Sequence, residues 1–280
     1  SYGWEYIEDG LLILKLGQIT ALGKTDDWFN FLPEGIELHD FTGQLIMPGF
    51  IDTHTHYPQT DIIASHGTQL LEWLEKYTFP TEAKFSDINV ANSTAEFFCD
   101  ELLRNGTTTS AVFATIHPES VDAIFRAAQK RDMRLISGKV MMDRNAPDFL
   151  CDTAQSSYDD SAKLIEKWHR NGRALYAVTP RFAPTSTVAQ LRVAGRLLQE
   201  YDGLYLQSHV AENADEVAWV AELFPERRSY LDVYDHYGLV GKRSIYAHCI
   251  HLDQTDRERM ASNGAAMAFC PTSNLFLGSG

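Results

Sequence analysis

Two rhythms of apolar positions alternate along most of the chain. Short aliphatic or β-branched runs read as strands, and longer stretches with apolar residues every three to four positions read as helices. The strands are predicted at Thr107–Ala114, Leu135–Met141, Leu175–Thr179, Leu204–His209, Ser244–His248 and Ala265–Phe269. The helices between them are predicted at Pro118–Arg131, Asp159–Asn171, Val188–Glu200, from Asn213 onward, and at Asp253–Asn263. Upstream, Gln69–Lys76 reads as a short amphipathic helix. Asp87–Arg104 reads as a longer one that closes at Asn105-Gly106, a C-terminal cap signal. Before both lies the run Leu45 to His56, broken by Pro48-Gly49, whose second half reads as a buried strand ending in His-x-His. That makes seven strands, each but the last followed by a helix, and no glycine-rich phosphate loop follows any of them. This alternation predicts an α/β fold, a (β/α)8 TIM-type barrel rather than a doubly wound sheet.

The first 46 residues have a different texture. Gly10–Leu14 and Gln18–Leu22 flank Lys15-Leu16-Gly17 as in a hairpin, and Gly43–Ile46 reads as a third strand. Three short strands make a thin sheet, so an incomplete β unit over 1–46 is expected before a barrel over 47–280. The eighth strand of that barrel is absent from this chain, and the sequence reads as part of a longer protein.

Composition narrows the partners. With 24 basic and 38 acidic side chains the formal charge is −14, which disfavours a phosphate backbone or an anionic membrane surface. No stretch is long and apolar enough for a transmembrane helix, and the start of the chain lacks the basic-then-apolar pattern of a secretory signal. Cys99, Cys151, Cys249 and Cys270 are far apart and form no Cys-x-x-Cys pair. They fit buried thiols in a reducing cytoplasm, with Cys249 and Cys270 as packing residues rather than nucleophiles.

Against that background the histidines stand out. Side chains at i and i+2 of a strand share a face, so His54 and His56 point the same way. Two neutral imidazoles so placed can share a divalent metal. A lone His-x-His is as readily a polar surface loop. His209 and His248, however, also end predicted strands, where barrel chemistry is sited. Glu212, three residues after His209, can reach over such a metal as a proton shuttle; otherwise it is a helix-start glutamate favoured by the dipole. Arg181-Phe182 follows another strand at the same rim, offering a donor fork for a carbonyl and an aromatic face for a flat ring. Gln59 can bond a polar substrate edge. His66, His117 and His251 read as structural or loop residues.

Pro48-Gly49-Phe50-Ile51-Asp52-Thr53-His54-Thr55-His56 resembles the first-strand signature of the amidohydrolase superfamily. His56-Tyr57-Pro58-Gln59, Leu70–Leu74, Tyr77–Pro80, Lys139–Asp143, Thr179–Thr185 and Phe269–Leu275 resemble its guanine deaminase branch. The resemblance implies one Zn2+ per chain on His54, His56, His209 and His248. Guanine would be held by His56, Gln59, Arg181, Phe182 and Glu212. Hydroxide supplied by the metal would attack the amino-bearing ring carbon with Glu212 shuttling protons, giving xanthine and ammonia. It implies a partial β-sandwich domain over 1–46, a role in purine catabolism, a cytoplasmic homodimer, and no nucleic-acid or membrane partner. The family's eighth-strand aspartate has no counterpart here. A relative acting on cytosine, an S-adenosyl nucleoside or a triazine, or a non-catalytic scaffold of the same fold, is the competing expectation.

Overall fold

Strands β1 (Gly10–Lys15) and β2 (Gln18–Lys24) pair antiparallel in the computed structural model, which describes residues 3–66 and 69–279. The turn between them is Leu16-Gly17, both at positive φ (51° and 74°), the twist a two-residue hairpin requires. These strands belong to a unit spanning Ser1–Pro48. Gly43–Ile46, expected as a third strand, is not one. Gly43 sits at φ 78°, the N–H of Gln44 donates to the carbonyl of Phe41 at 2.9 Å, and no strand pairs with residues 44–46 among the described residues. An apolar run becomes a strand only where a neighbour takes its backbone bonds.

The second unit, Gly49–Gly280, carries a parallel sheet nearly closed into a barrel with helices between its strands. Its strands are β3 (Phe50–His56), β4 (Thr107–Phe113), β5 (Arg134–Gly138), β6 (Val140–Met141), β7 (Ala174–Pro180), β8 (Tyr205–Val210), β9 (Ser244–His248) and β10 (Ala266–Ala268). They run side by side as β3-β4-β5-β7-β8-β9-β10, with β6 beside β7. The α/β barrel reading therefore holds. The single strand expected over Leu135–Met141 is split into β5 and β6. At the break, the N–H of Lys139 donates to the Tyr176 hydroxyl at 3.2 Å instead of to a strand. Gly138 is there because a Cβ would lie 1.8 Å from the carbonyl oxygen of Ala177.

The helices begin where the caps dictate. Asp87, Thr153, Thr187, Asn213, Ser229 and Asp253 each accept a backbone N–H from the first turn of the following helix. The helix expected over Gln69–Lys76 is instead a chain of short pieces. Leu70–Trp73 is α-helical, Leu74–Thr78 a π turn, Phe79–Glu82 α-helical and Ala83–Ser86 a 3-10 turn. The sequence after Asn213 forms two helices, Ala214–Leu223 and Tyr230–His236. The main core lies between sheet and helices, around Tyr57, Phe125, Leu135, Trp168, Tyr176, Leu206 and Tyr246. On the opposite face of the strands, inside the barrel, Ala111, Ile136 and Ala177 are buried with Leu175, Tyr205 and Ile245 packed against them, and Gln207 donates to the Val112 carbonyl at 3.0 Å. This rigid interior fixes the strand ends that present the functional side chains.

Candidate active site

Four strand ends meet at the same rim. Strand β3 delivers His54 and His56 on one face, β8 delivers His209, β9 ends at His248, and Arg181-Phe182 follows β7 directly. The ring centroids of His54 lie 5.0, 4.7 and 5.6 Å from those of His56, His209 and His248. The ligand nitrogens of His54, His209 and His248 are all within 4.8 Å of one another. His56 is not part of that mutual triad, but its Nε2 lies 3.0 Å from Nε2 of His209. Beneath them is Phe113, fully buried, with its ring 4.5 Å from His56, 4.7 Å from His209 and 5.1 Å from His54. His248 is presented on strained backbone, at φ 70°, and Cys249 follows at φ 57°.

The hydrogen bonds choose tautomers. Nδ1–H of His209 donates to the Arg181 backbone carbonyl at 2.7 Å, and Nδ1–H of His248 to Oδ1 of Asn274 at 2.7 Å. Each ring therefore turns an Nε2 lone pair inward. Burial drives the imidazoles toward the neutral form. It lowers the pKa of His54 to about 3, puts His56 and His209 well below 6.5, and lowers His248. Each neutral ring keeps a nitrogen lone pair, and Nδ1 of His56 is buried without a partner. A convergent set of imidazoles held toward the neutral form fits a divalent cation, and an all-nitrogen donor set suits zinc.

Glu212 stands beside this cluster. Its Oε2 is 3.2 Å from Nε2 of His248, and its side chain is 4% exposed. Burial, reinforced by the Glu216 carboxylate, raises its pKa to about 8 against a weak opposing bond from Ser279. Glu216 also takes the N–H of Glu212 at 2.9 Å and the Tyr230 hydroxyl at 2.6 Å, which fixes the backbone that carries Glu212.

A cavity of about 850 Å³ opens over the cluster, and His54, His56, Gln59, Arg181, Phe182, His209, Glu212 and His248 all border it. The side chains singled out in the sequence therefore border one cavity, but the sequence left out what holds them. Arg181 is buried and paired through Nη1 with Oε2 of Glu82 at 2.7 Å, across 99 residues. Residue spacing alone singles out neither Glu82 nor Asn274. A carboxylate inside the mostly apolar stretch Phe79–Phe85 was the one local signal for Glu82. Phe113 gave none, since it reads as an ordinary strand residue. His66 and His251 are exposed and lie outside the cluster, and His117 precedes the helix Pro118–Lys130. Cys249 and Cys270 are half-buried free thiols, and burial pushes the Cys249 thiol up to about 12, away from nucleophilic character.

The Amidohydrolase family profile matches residues 45–280. Guanine deaminase of Escherichia coli (strain K12) is 54% identical over 275 residues, covering 98% of this chain and 63% of the relative. A solved structure of E. coli guanine deaminase superposes with a TM-score of 0.97 at 53% identity, covering 99% of this chain and 64% of that one. Guanine deaminase from C. acetobutylicum, solved with guanine bound in the active site, gives a TM-score of 0.91 at 34% identity over 98% of this chain and 65% of that one. The chain therefore spans just under two thirds of the length of each of these proteins.

Proposed function

This chain belongs to the amidohydrolase family, and from that premise we propose that the protein hydrolyses guanine to xanthine and ammonia. The observation that carries the reading is one cavity bordered at once by four neutral imidazoles, a protonatable glutamate and a buried arginine. His54, His56, His209 and His248 would hold a single zinc ion. When bound, zinc makes water a nucleophile at neutral pH.

The side chains account for the remaining steps. Phe182 offers a buried apolar surface to the flat purine. Arg181 has only donors, so it pairs with the guanine carbonyl and rejects the amino group that adenine carries there. Glu212 starts from a pKa of about 8, and a dication at the neighbouring histidines would pull that value down toward neutrality. In that range it takes a proton from the attacking water. It then gives the proton to the ring nitrogen next to the amino-bearing carbon. The remaining proton of the new hydroxyl passes through Glu212 to the amine, whose C–N bond breaks to release ammonia as the carbon becomes a carbonyl. Asn274 and the Arg181 carbonyl hold the His248 and His209 rings in the tautomers the site needs.

The reading extends to a cytoplasmic homodimer active in purine catabolism, with four free cysteines in keeping with a reducing compartment. No helix among the described residues is long and apolar enough to cross a membrane. The direct test offers the zinc-loaded protein guanine and adenine separately. Guanine should yield xanthine and ammonia in equal amounts, with little or no turnover of adenine. Comparable turnover of both purines would reject the assignment.

A further inference from the structure

The Arg181–Glu82 pair is more than a neutralised charge. Glu82 has a side chain 1% exposed and does not border the cavity, whereas Arg181 and Gln59 both do. Its two oxygens are divided between them: Oε2 accepts from Nη1 of Arg181 at 2.7 Å, and Oε1 accepts from Nε2 of Gln59 at 3.4 Å. A carboxylate only accepts, so the amide of Gln59 must turn its NH2 toward Glu82. Its remaining polar atom is then the acceptor Oε1. Arg181 spends one of its N–H groups on Glu82 and keeps the others as donors. Its guanidinium lies over Phe79, 5.5 Å from the ring centroid, and its carbonyl is held by His209. The cavity wall therefore pairs a fixed donor with a fixed acceptor.

We propose that Glu82 is a positioning residue that sets the polarity of the Arg181–Gln59 pair, so that the cavity selects a lactam edge, a ring carbonyl next to a ring N–H. The inference rests on the guanine reading and deepens it. Guanine presents that edge. 2,6-Diaminopurine presents the reverse, an amino group beside a bare ring nitrogen. Glutamine at position 82 is nearly isosteric but can donate as well as accept, which lets Gln59 turn over and loosens the selection. Aspartate keeps the acceptor-only charge on a shorter stem.

Competing guanine with 2,6-diaminopurine gives the guanine KM and the diaminopurine Ki for each variant. In Glu82→Gln the guanine KM should rise more than kcat falls. The preference for guanine should drop by at least about tenfold, because the selecting partners no longer oppose the wrong edge. Glu82→Asp should keep the preference within about threefold of wild type even if overall activity falls. A role in folding alone would lower guanine activity and leave the preference intact in both variants. An unchanged preference in Glu82→Gln overturns the inference, as does a preference lost in Glu82→Asp. If the glutamine variant does not fold, Gln59→Met decides, because removing the acceptor that Glu82 fixes should lower the preference by at least about tenfold, and an unchanged preference there overturns the inference. Wild-type protein that leaves guanine untouched overturns the functional reading and this inference with it.

Discussion

Replacing Glu212 with glutamine should lower kcat for guanine by ~10²–10⁴-fold or more while zinc content and guanine binding stay near wild type. Glutamine matches the shape of the buried side chain and can still lie beside Nε2 of His248, which Glu212 approaches at 3.2 Å. It cannot accept and return a proton. The binding side chains Arg181, Gln59 and Phe182 are untouched, so KM should move little. A second readout comes from the raised pKa of about 8, against an ordinary 4.5. The folded state of the metal-free protein holds the Glu212 proton more tightly than the unfolded state. This group's contribution therefore favours folding at low pH and is lost as pH rises from about 4.5 to about 8. Glu212→Gln lacks that contribution, so its melting temperature should fall less than that of wild type between pH 5 and 9. Near-normal turnover with unchanged metal content would mean that another group moves the proton.

Arg181→Ala should lower kcat/KM for guanine by ~10²-fold or more, with KM raised and no gain on adenine, because a desolvated charge-assisted bond to the carbonyl is lost. Zinc content should not change, since the Arg181 side chain is not among the donors. The structure adds a second cost that the sequence did not disclose. Glu82 is 1% exposed and takes its short ion pair from Arg181, so the alanine variant strands a buried carboxylate. Removing one partner of a buried pair costs about 3–5 kcal/mol, which should appear as a lower melting temperature. Combining Arg181→Ala with Glu82→Gln removes the stranded charge. The double variant should regain much of the stability and none of the guanine selectivity. If Arg181→Ala turns over guanine like wild type, the arginine does not read the carbonyl.

The legible parts of this site were those carried by short-range periodicity. His54 and His56 share a face because strand side chains alternate, and that can be read from two letters of spacing. His209 and His248 were legible because each ends an apolar run, and a parallel barrel gathers such ends at one rim. What stayed hidden depends on contacts across long stretches of chain. Glu82 finds Arg181 99 residues away, and Asn274 orients His248 from 26 residues downstream. The break between β5 and β6 is set by the Tyr176 hydroxyl, 37 residues from Lys139. The π turn over Leu74–Thr78 has no signature in apolar spacing, since a stretch that departs from α-helical winding still shows amphipathic rhythm. Gly43–Ile46 had the apolar texture of a strand and no neighbour to pair with among the described residues.

The central claim is that four histidines bordering one cavity hold a metal without which guanine is not deaminated. It is tested most directly by following xanthine and ammonia release from guanine before chelation, after the metal has been stripped, and after stoichiometric zinc has been restored. The expected result is release in equal amounts at the start, loss of both products in the stripped protein, and recovery at about one zinc per chain. Undiminished release from protein shown to contain no metal would contradict the account.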